Sequence, residues 1–156
     1  MLIDPVVNAI DRDVKLIEQL GLRLACSVDT HIHADHITAA RHLKDRVGSR
    51  IATPAIDHLP CTDIPIEEGK PLQIGSISLN GLHTPGHTDG HFAYLIGDRQ
   101  FSGDALLIDG YGRTDFQRGN AQTLYSSVTQ KLFALEGEVL VYPAHDHTGR
   151  HVSSIA

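Results

Sequence analysis

The sequence has little of what marks several common protein classes. Its two cysteines, Cys26 and Cys61, are too few for a disulfide framework or a cysteine-rich zinc site, so we expect buried thiols in a reducing compartment. No apolar run approaches the length of a membrane span. Lysine and arginine number 13 against 19 acidic residues, and the net charge of −6 argues against nucleic acid. We therefore expect neither a membrane nor a nucleic-acid partner.

The first residues and the length of the chain indicate its expected location and domain number. The first residues, MLIDPV, have neither the basic segment nor the long apolar stretch of a secretory signal, so we expect a cytoplasmic protein. With 156 residues, 41% hydrophobic and 21% charged, the chain has the size and composition of a single domain over residues 1–156.

Hydrophobic periodicity predicts that the chain opens with a βαβ unit. Residues 2–3 predict a short strand, and residues 22–28 alternate loosely and predict a second one. Between them, residues 10–21 have helical spacing, with Asn8 or Asp11 as the N-terminal cap and Gly21 at the end. A right-handed crossover of this kind makes the two strands parallel.

The rest of the chain predicts an α/β fold in which helices cover the faces of sheets. The further predicted elements are a helix over 38–47 ended by Gly48, a strand over 50–53, a region over 55–71 that is mostly loop, hairpins over 72–82 and 92–101, a helix marked by residues 124–135 between Asn120 and Gly137, and a strand over 139–142.

Histidine is abundant, with 11 residues, and it is clustered. His31, His33 and His36 fall in the run T-H-I-H-A-D-H, which directly follows a predicted strand. Loops at the carboxyl ends of parallel strands are where α/β proteins place ligands. The spacing brings three imidazoles and the Asp35 carboxylate onto one turn, and these groups suit zinc or iron.

Three later segments also place candidate ligands just after predicted strands. His87 follows the Pro85-Gly86 turn, Asp104 follows a glycine, and His145 follows the last predicted strand. Each signal is moderate or weak by itself, but the shared position at strand ends favours a common metal site.

The ordered motifs H-x-H-x-D-H, H-T-P-G-H, G-D and P-x-H resemble those of the metallo-β-lactamase superfamily over nearly the whole chain. That resemblance implies a four-layer αββα sandwich with a metal site at one edge between its two sheets. Members of the family usually extend beyond these motifs at both ends, so the expected fold is shortened at both ends.

Within the superfamily, the blocks G-D-A-L-L-I and G-R-T-D-F-Q, at residues 103–108 and 112–117, resemble one branch. It comprises the persulfide dioxygenases related to the human ethylmalonic encephalopathy protein. The resemblance implies one Fe(II) per chain, held by His31, His87 and Asp104, with open positions for substrate and O₂. The groups that would orient ligands and water around it are His33, Asp35, His36 and His145.

The activity implied by the resemblance is the oxidation of glutathione persulfide by O₂ to sulfite and glutathione. Arg113 and Asp115 match the branch's G-R-T-D pair, and we expect them to form an ion pair that steadies the loop beside the iron. A plain surface salt bridge is the other interpretation of this pair. Tyr111 and Arg113 are candidates for the wall of the substrate pocket.

Two other functions stay open. A dinuclear zinc thioester hydrolase of the glyoxalase II kind would use the same donors, with Asp104 bridging two ions. Its first metal would take His31, His33, His87 and Asp104, and its second Asp35, His36, His145 and Asp104. The third hypothesis is a metal-binding domain without turnover, because the chain starts and stops close to the motifs. Unpaired sheet edges would result, and we expect a homodimer that covers them.

Overall fold

The computed structural model describes residues 1–146 and 148–156. It divides into two compact units, Met1–Pro65 and Ile66–Ala156. The prediction of a single domain over residues 1–156 is not tested by this division and stays a prediction. Across these described residues, none of the helices has both the length and the apolar character needed to traverse a membrane.

The first unit is built on a sheet in which the predicted parallel βαβ opening is confirmed. Both neighbours of β2 run parallel to it. The strands, in the order β1-β2-β3-β4, are β1 (Leu2–Ile3), β2 (Cys26–Val28), β3 (Arg50–Pro54) and β4 (Ile64–Ile66), the last ending one residue past the unit.

Two helices of the first unit agree with the periodicity, α1 (Ile10–Gln19) and α2 (Ala40–Val47). Val14 of α1 and Leu43 of α2 are buried in one apolar cluster with Leu24. Gly48 ends α2 in the left-handed conformation that glycine adopts most easily.

Three predictions for the first unit were wrong in detail. The cap of α1 is neither Asn8 nor Asp11, because a 3₁₀ turn over Val7–Ala9 leads directly into the helix. The strand predicted over residues 22–28 forms only at its end, since β1 offers it two residues to pair with. The region 55–71 is mostly loop, as predicted, and it contains the 3₁₀ turn Ala55–Asp57 and β4. Cys61 is exposed in a turn, whereas Cys26 is buried as expected.

The second unit carries a six-stranded sheet in the order β10-β9-β8-β7-β6-β5. Both predicted hairpins are confirmed. Within the described residues of this sheet, β8 and β9 pair in parallel and the other neighbouring strands pair antiparallel. The strand β10 was not predicted. The strands are β5 (Leu72–Ile74), β6 (Ile77–His83), β7 (Phe92–Ile96), β8 (Arg99–Gly103), β9 (Leu140–Pro143) and β10 (Ser153–Ser154).

One helical segment packs its apolar side on this sheet. Helix α3 (Ala121–Ser127) begins at the predicted cap, where the Asn120 side chain accepts a hydrogen bond from the Thr123 amide at 2.9 Å. It continues as a π-helix over Val128–Leu132 and so ends before Gly137, the predicted stop. Leu124 of α3 and Leu132 of the π-helix are buried in one apolar cluster. The cluster also contains Ala93 of β7 and Ala105, which follows β8.

The turn that carries His87 is pressed against the start of α3. Gly86 has a φ of 133°, which favours glycine, and its carbonyl accepts a hydrogen bond from the Asn120 amide at 2.8 Å. A Cβ on Gly86 would lie 2.3 Å from the backbone nitrogen of Leu124. Only glycine therefore permits this close approach of two backbones.

We expect Gly86→Ala to lower the free energy of unfolding by about 3 kcal/mol or more, since neither backbone can easily move aside. Gly97 is the matched control: its φ is also positive, at 58°, but a Cβ there meets nothing within 4 Å. Gly97→Ala should therefore cost only about 1 kcal/mol. Urea denaturation followed by circular dichroism measures both variants. Equal losses would contradict the close packing of Gly86.

Candidate metal centre

The histidine-rich loop of the first unit lies between β2 and α2, as the sequence predicts. His31 is buried, His33 and His36 are partly buried, and Asp35 lies at the surface. The donor atoms of His33, Asp35 and His36 lie within 4.8 Å of one another, and so do those of Asp4, Asp29 and His33. The loop therefore brings together the groups that the motif predicts, and two acidic residues in addition.

His31 is oriented by a hydrogen-bond chain that begins at the end of β1. Thr30 donates its hydroxyl hydrogen to the Asp4 carboxylate at 2.8 Å. The Nδ1 atom of His31 lies 2.9 Å from that same hydroxyl oxygen, which can then only accept. The ring proton is thus on Nδ1, and Nε2 carries the lone pair that a metal ion takes.

Burial and charge act together around His33. Burial, and then the neighbouring charge of Asp4, raise the pKa of Asp29 to about 6, against a hydrogen bond from Thr38. Burial lowers the pKa of His33, but its 3.1 Å contact with Asp4 and the nearby carboxylates outweigh burial and raise it. Asp4 therefore interacts with both Thr30 and His33, at the base of the loop.

In the second unit, His87 has the same tautomer as His31. Its Nδ1 atom lies 2.8 Å from the backbone carbonyl of Arg113, which can only accept, so Nδ1 donates. The other ring nitrogen, Nε2, is 3.5 Å from Oδ2 of Asp104. On the opposite side, Oδ1 of Asp104 is 3.5 Å from Nε2 of His145. The carboxylate therefore lies between two imidazoles.

These separations fit a metal ion better than a direct hydrogen bond. A charge-assisted N–H···O bond is about 2.7–2.9 Å long, shorter than the 3.5 Å between His87 and Asp104. Two ligands that bind one ion at about 2.0–2.2 Å lie roughly 3.0–3.5 Å apart at ordinary coordination angles. An imidazole lone pair and a carboxylate are also a donor set that iron and zinc both accept. The residues present therefore fit a metal.

The remaining predicted residues lie where the motifs place them. Arg113 and Asp115 form the predicted ion pair, at 2.8 and 3.1 Å, with side chains 65% and 72% exposed. Because both side chains are exposed, the ion pair contributes little to the free energy of folding. It is the carbonyl of Arg113, rather than its guanidinium, that contacts the candidate ligand His87.

Sequence reasoning missed three residues of this region. Asp4 has no predicted role, although its place at the end of a strand parallel to β2 is a signal for proximity to the loop after β2. Gly112 and His91 were given no role. Both make contacts with His87 and Asp104 that depend on folding and leave no local pattern.

Comparison with known proteins identifies the family. The profile described as the Metallo-beta-lactamase superfamily matches residues 1–145, and the chain belongs to that superfamily. A crystal structure of ETHE1 from Myxococcus xanthus matches it with a TM-score of 0.95 and 47% identity, over 98% of this chain and 68% of that one. The predicted metallo-β-lactamase fold, with sheets flanked by helices, is thereby confirmed.

Two curated relatives indicate the branch. The human protein named "Persulfide dioxygenase ETHE1, mitochondrial" is 45% identical over 99% of this chain. This chain spans 62% of that relative's length. The hydroxyacylglutathione hydrolase GloC of Haemophilus influenzae is 33% identical, over 92% of this chain and 78% of the relative. The predicted resemblance to persulfide dioxygenases is confirmed, with a hydrolase as the more distant relative.

Gly112 offers a test of the candidate ligands His87 and Asp104. A Cβ there would lie 2.5 Å from the Asp104 carbonyl oxygen and 2.8 Å from Nδ1 of His87. We expect Gly112→Ala to weaken metal binding on the order of 10-fold or more, because it displaces groups that orient these two candidate ligands. Gly110 lies in the same loop, and a Cβ there meets nothing within 4 Å. Gly110→Ala should retain wild-type affinity in a Co(II) titration, and a similar affinity in both variants would contradict the assignment.

Proposed function

We propose that this chain is a persulfide dioxygenase with one Fe(II), for which His31, His87 and Asp104 are the ligands. Its substrates are glutathione persulfide and O₂. The balanced reaction consumes one water and yields sulfite, glutathione and two protons. The chain's similarity to human and Myxococcus xanthus ETHE1 supports this choice of reaction within the superfamily.

The observation that carries the proposal is the pairing of His87 with Asp104. The Nε2 lone pair and the carboxylate lie 3.5 Å apart, and a cation between them relieves their mutual repulsion. Two histidines and one carboxylate are the ligand set of non-haem iron oxygenases. When bound, such an iron supplies adjacent open coordination positions and the electrons for chemistry with O₂.

The protein's own residues fix the tautomers and directions of the ligands. The chain from Asp4 through Thr30 keeps the proton of His31 on Nδ1. The carbonyl of Arg113 does the same for His87. Partners of this kind typically change metal affinity or activity by about 10- to 100-fold when they are removed.

Arg113 and Tyr111 lie on the loop that follows Asp104, and we assign them to the substrate side of the site. Tyr111 is 70% exposed. The Arg113 guanidinium is paired with Asp115 and lies over the Phe116 ring, with 5.7 Å between its central carbon and the ring centroid. We expect these contacts to position the loop, while His33, Asp35, His36 and His145 orient ligands and water.

The test measures O₂ uptake and sulfite release with glutathione persulfide, together with the metal content of the purified chain. We expect one iron per chain, and activity that a chelator removes and Fe(II) restores. His87→Ala and Asp104→Ala should each lower both activity and iron content on the order of 100-fold or more, since each removes a ligand. His42→Ala, a change at an exposed histidine of α2, is the control and should have no effect.

The alternative is a dinuclear zinc thioester hydrolase. The close donors of His33, Asp35 and His36 and the 3.5 Å contact of His145 with Asp104 favour it. So does the similarity to GloC. Two zinc ions per chain and hydrolysis of S-lactoylglutathione without persulfide oxidation would reverse the choice. Metal binding without either activity would indicate a non-catalytic domain.

We also propose that the chain forms a homodimer. The edge strand β10 is exposed, and beside it lies an apolar cavity of about 680 Å³ with exposed aromatic side chains at Tyr111, Tyr125 and Phe133. Exposed edges and aromatic patches of this kind favour association.

Light scattering of the purified chain should give twice the monomer mass of 17.0 kDa. Tyr125→Glu should shift the protein to the monomer, because it places a charge in the apolar patch. A monodisperse wild-type monomer would contradict the dimer.

We propose a reducing compartment, the cytoplasm, as the place of action. Both cysteines are free thiols, one of them exposed, as is usual where disulfides do not persist. Fractionation of cells that produce the protein, followed by immunodetection, checks this proposal. Recovery in an oxidising compartment would contradict it.

A further inference from the structure

One buried histidine beside the proposed ligands has no part in the ligand set. His91 has no exposed surface, and neither does its neighbour Thr84. Its Nε2 atom accepts a hydrogen bond from the backbone N–H of Asp104 at 3.2 Å. Its ring also meets the His87 ring edge to face, with 6.1 Å between centroids. His91 therefore touches both second-unit residues to which we assign the metal.

The contacts of His91 fix its tautomer. Because Nε2 accepts from the Asp104 amide, the proton of the neutral ring is on Nδ1. That atom lies 2.9 Å from the Thr84 hydroxyl oxygen, to which it donates. A hydrogen-bond chain thus runs from Thr84, just after β6, through His91 to Asp104, just after β8.

The sheet is irregular next to Asp104. The ladder between β8 and β9 shifts register between Phe101 and Gly103, directly before Asp104. Such an irregularity re-aims the side chains that follow and interrupts regular pairing. The His91 imidazole accepts the amide hydrogen bond at this point and so anchors the backbone from which the Asp104 carboxylate extends.

We propose that His91 is a positioning residue that holds Asp104 and His87 at the separation a metal ion needs. This proposal rests on the proposed function, which assigns Asp104 and His87 as metal ligands. His91 acts through its Nε2 acceptor on Asp104 and through ring contact on His87. Thr84 acts through His91, since its hydroxyl keeps the proton on Nδ1.

The test compares Co(II) binding by metal-stripped preparations of the full chain. His91→Phe keeps a ring but lacks the acceptor, and we expect it to weaken Co(II) binding about 10- to 100-fold and to change the visible absorption of the bound ion. His91→Gln restores an acceptor and should recover affinity to within about 5-fold of wild type. His42→Phe, the same change at an exposed histidine, should bind as wild type does.

Thr84→Val provides a second route if His91→Phe does not fold. It removes the acceptor for Nδ1–H at nearly constant volume, and we expect weaker Co(II) binding that Thr84→Ser restores. Thermal unfolding of the metal-free variants measures any general loss of stability. If His91 and Thr84 position the candidate ligands, the variants lose more Co(II) affinity than their decrease in folded fraction explains.

Several outcomes separate the possibilities. Wild-type affinity and absorption in His91→Phe would overturn the proposal, and so would equal losses in His91→Phe and His91→Gln, which indicate a structural role alone. If the variants rank as expected but wild-type protein with iron does not oxidise glutathione persulfide, the positioning role is supported and the proposed reaction is wrong.

Discussion

The site depends on one electrostatic constraint, the placement of a histidine lone pair opposite a carboxylate. His87 cannot turn its N–H toward Asp104, because its Nδ1–H is already donated to the Arg113 carbonyl. Both side chains are largely buried. With Nδ1 as the donor, a neutral His87 ring directs its Nε2 lone pair toward the carboxylate, and a cation bound between them offsets their repulsion. The proposed chemistry of the centre follows from that arrangement.

The same arrangement also restricts which residues can occupy two positions that supply no metal donor, Gly86 and Gly112. Gly86 lets the turn before His87 approach the backbone of α3, and Gly112 leaves room for the Arg113 carbonyl to reach His87. A methyl group at either position meets backbone atoms, which cannot rotate away as a side chain can. The ligands are therefore positioned by close backbone packing, and α3 contributes to the site without supplying a donor.

Much of the fold and part of the site could be predicted because their signals are local. Alternation and turn residues located both hairpins, and strand-end histidines located the donors. Asp4 and His91 were missed because a hydrogen bond such as that from Thr30 to Asp4 joins residues far apart in the sequence. The π-helix after α3 and the short strand β10 likewise depend on packing and pairing rather than on local pattern.

The proposed number of metal ions rests on how well the orientation and tautomer of each candidate donor are fixed. His31 and His87 have their tautomers fixed by neighbours, and Asp104 is anchored through its own backbone. By contrast, the Asp35 side chain is 51% exposed and lies 3.2 Å from His36, its own neighbour in the loop. Preorganised donors bind with less reorganisation than exposed ones. On this ground we propose a mononuclear centre, even though every candidate donor of a dinuclear one is present.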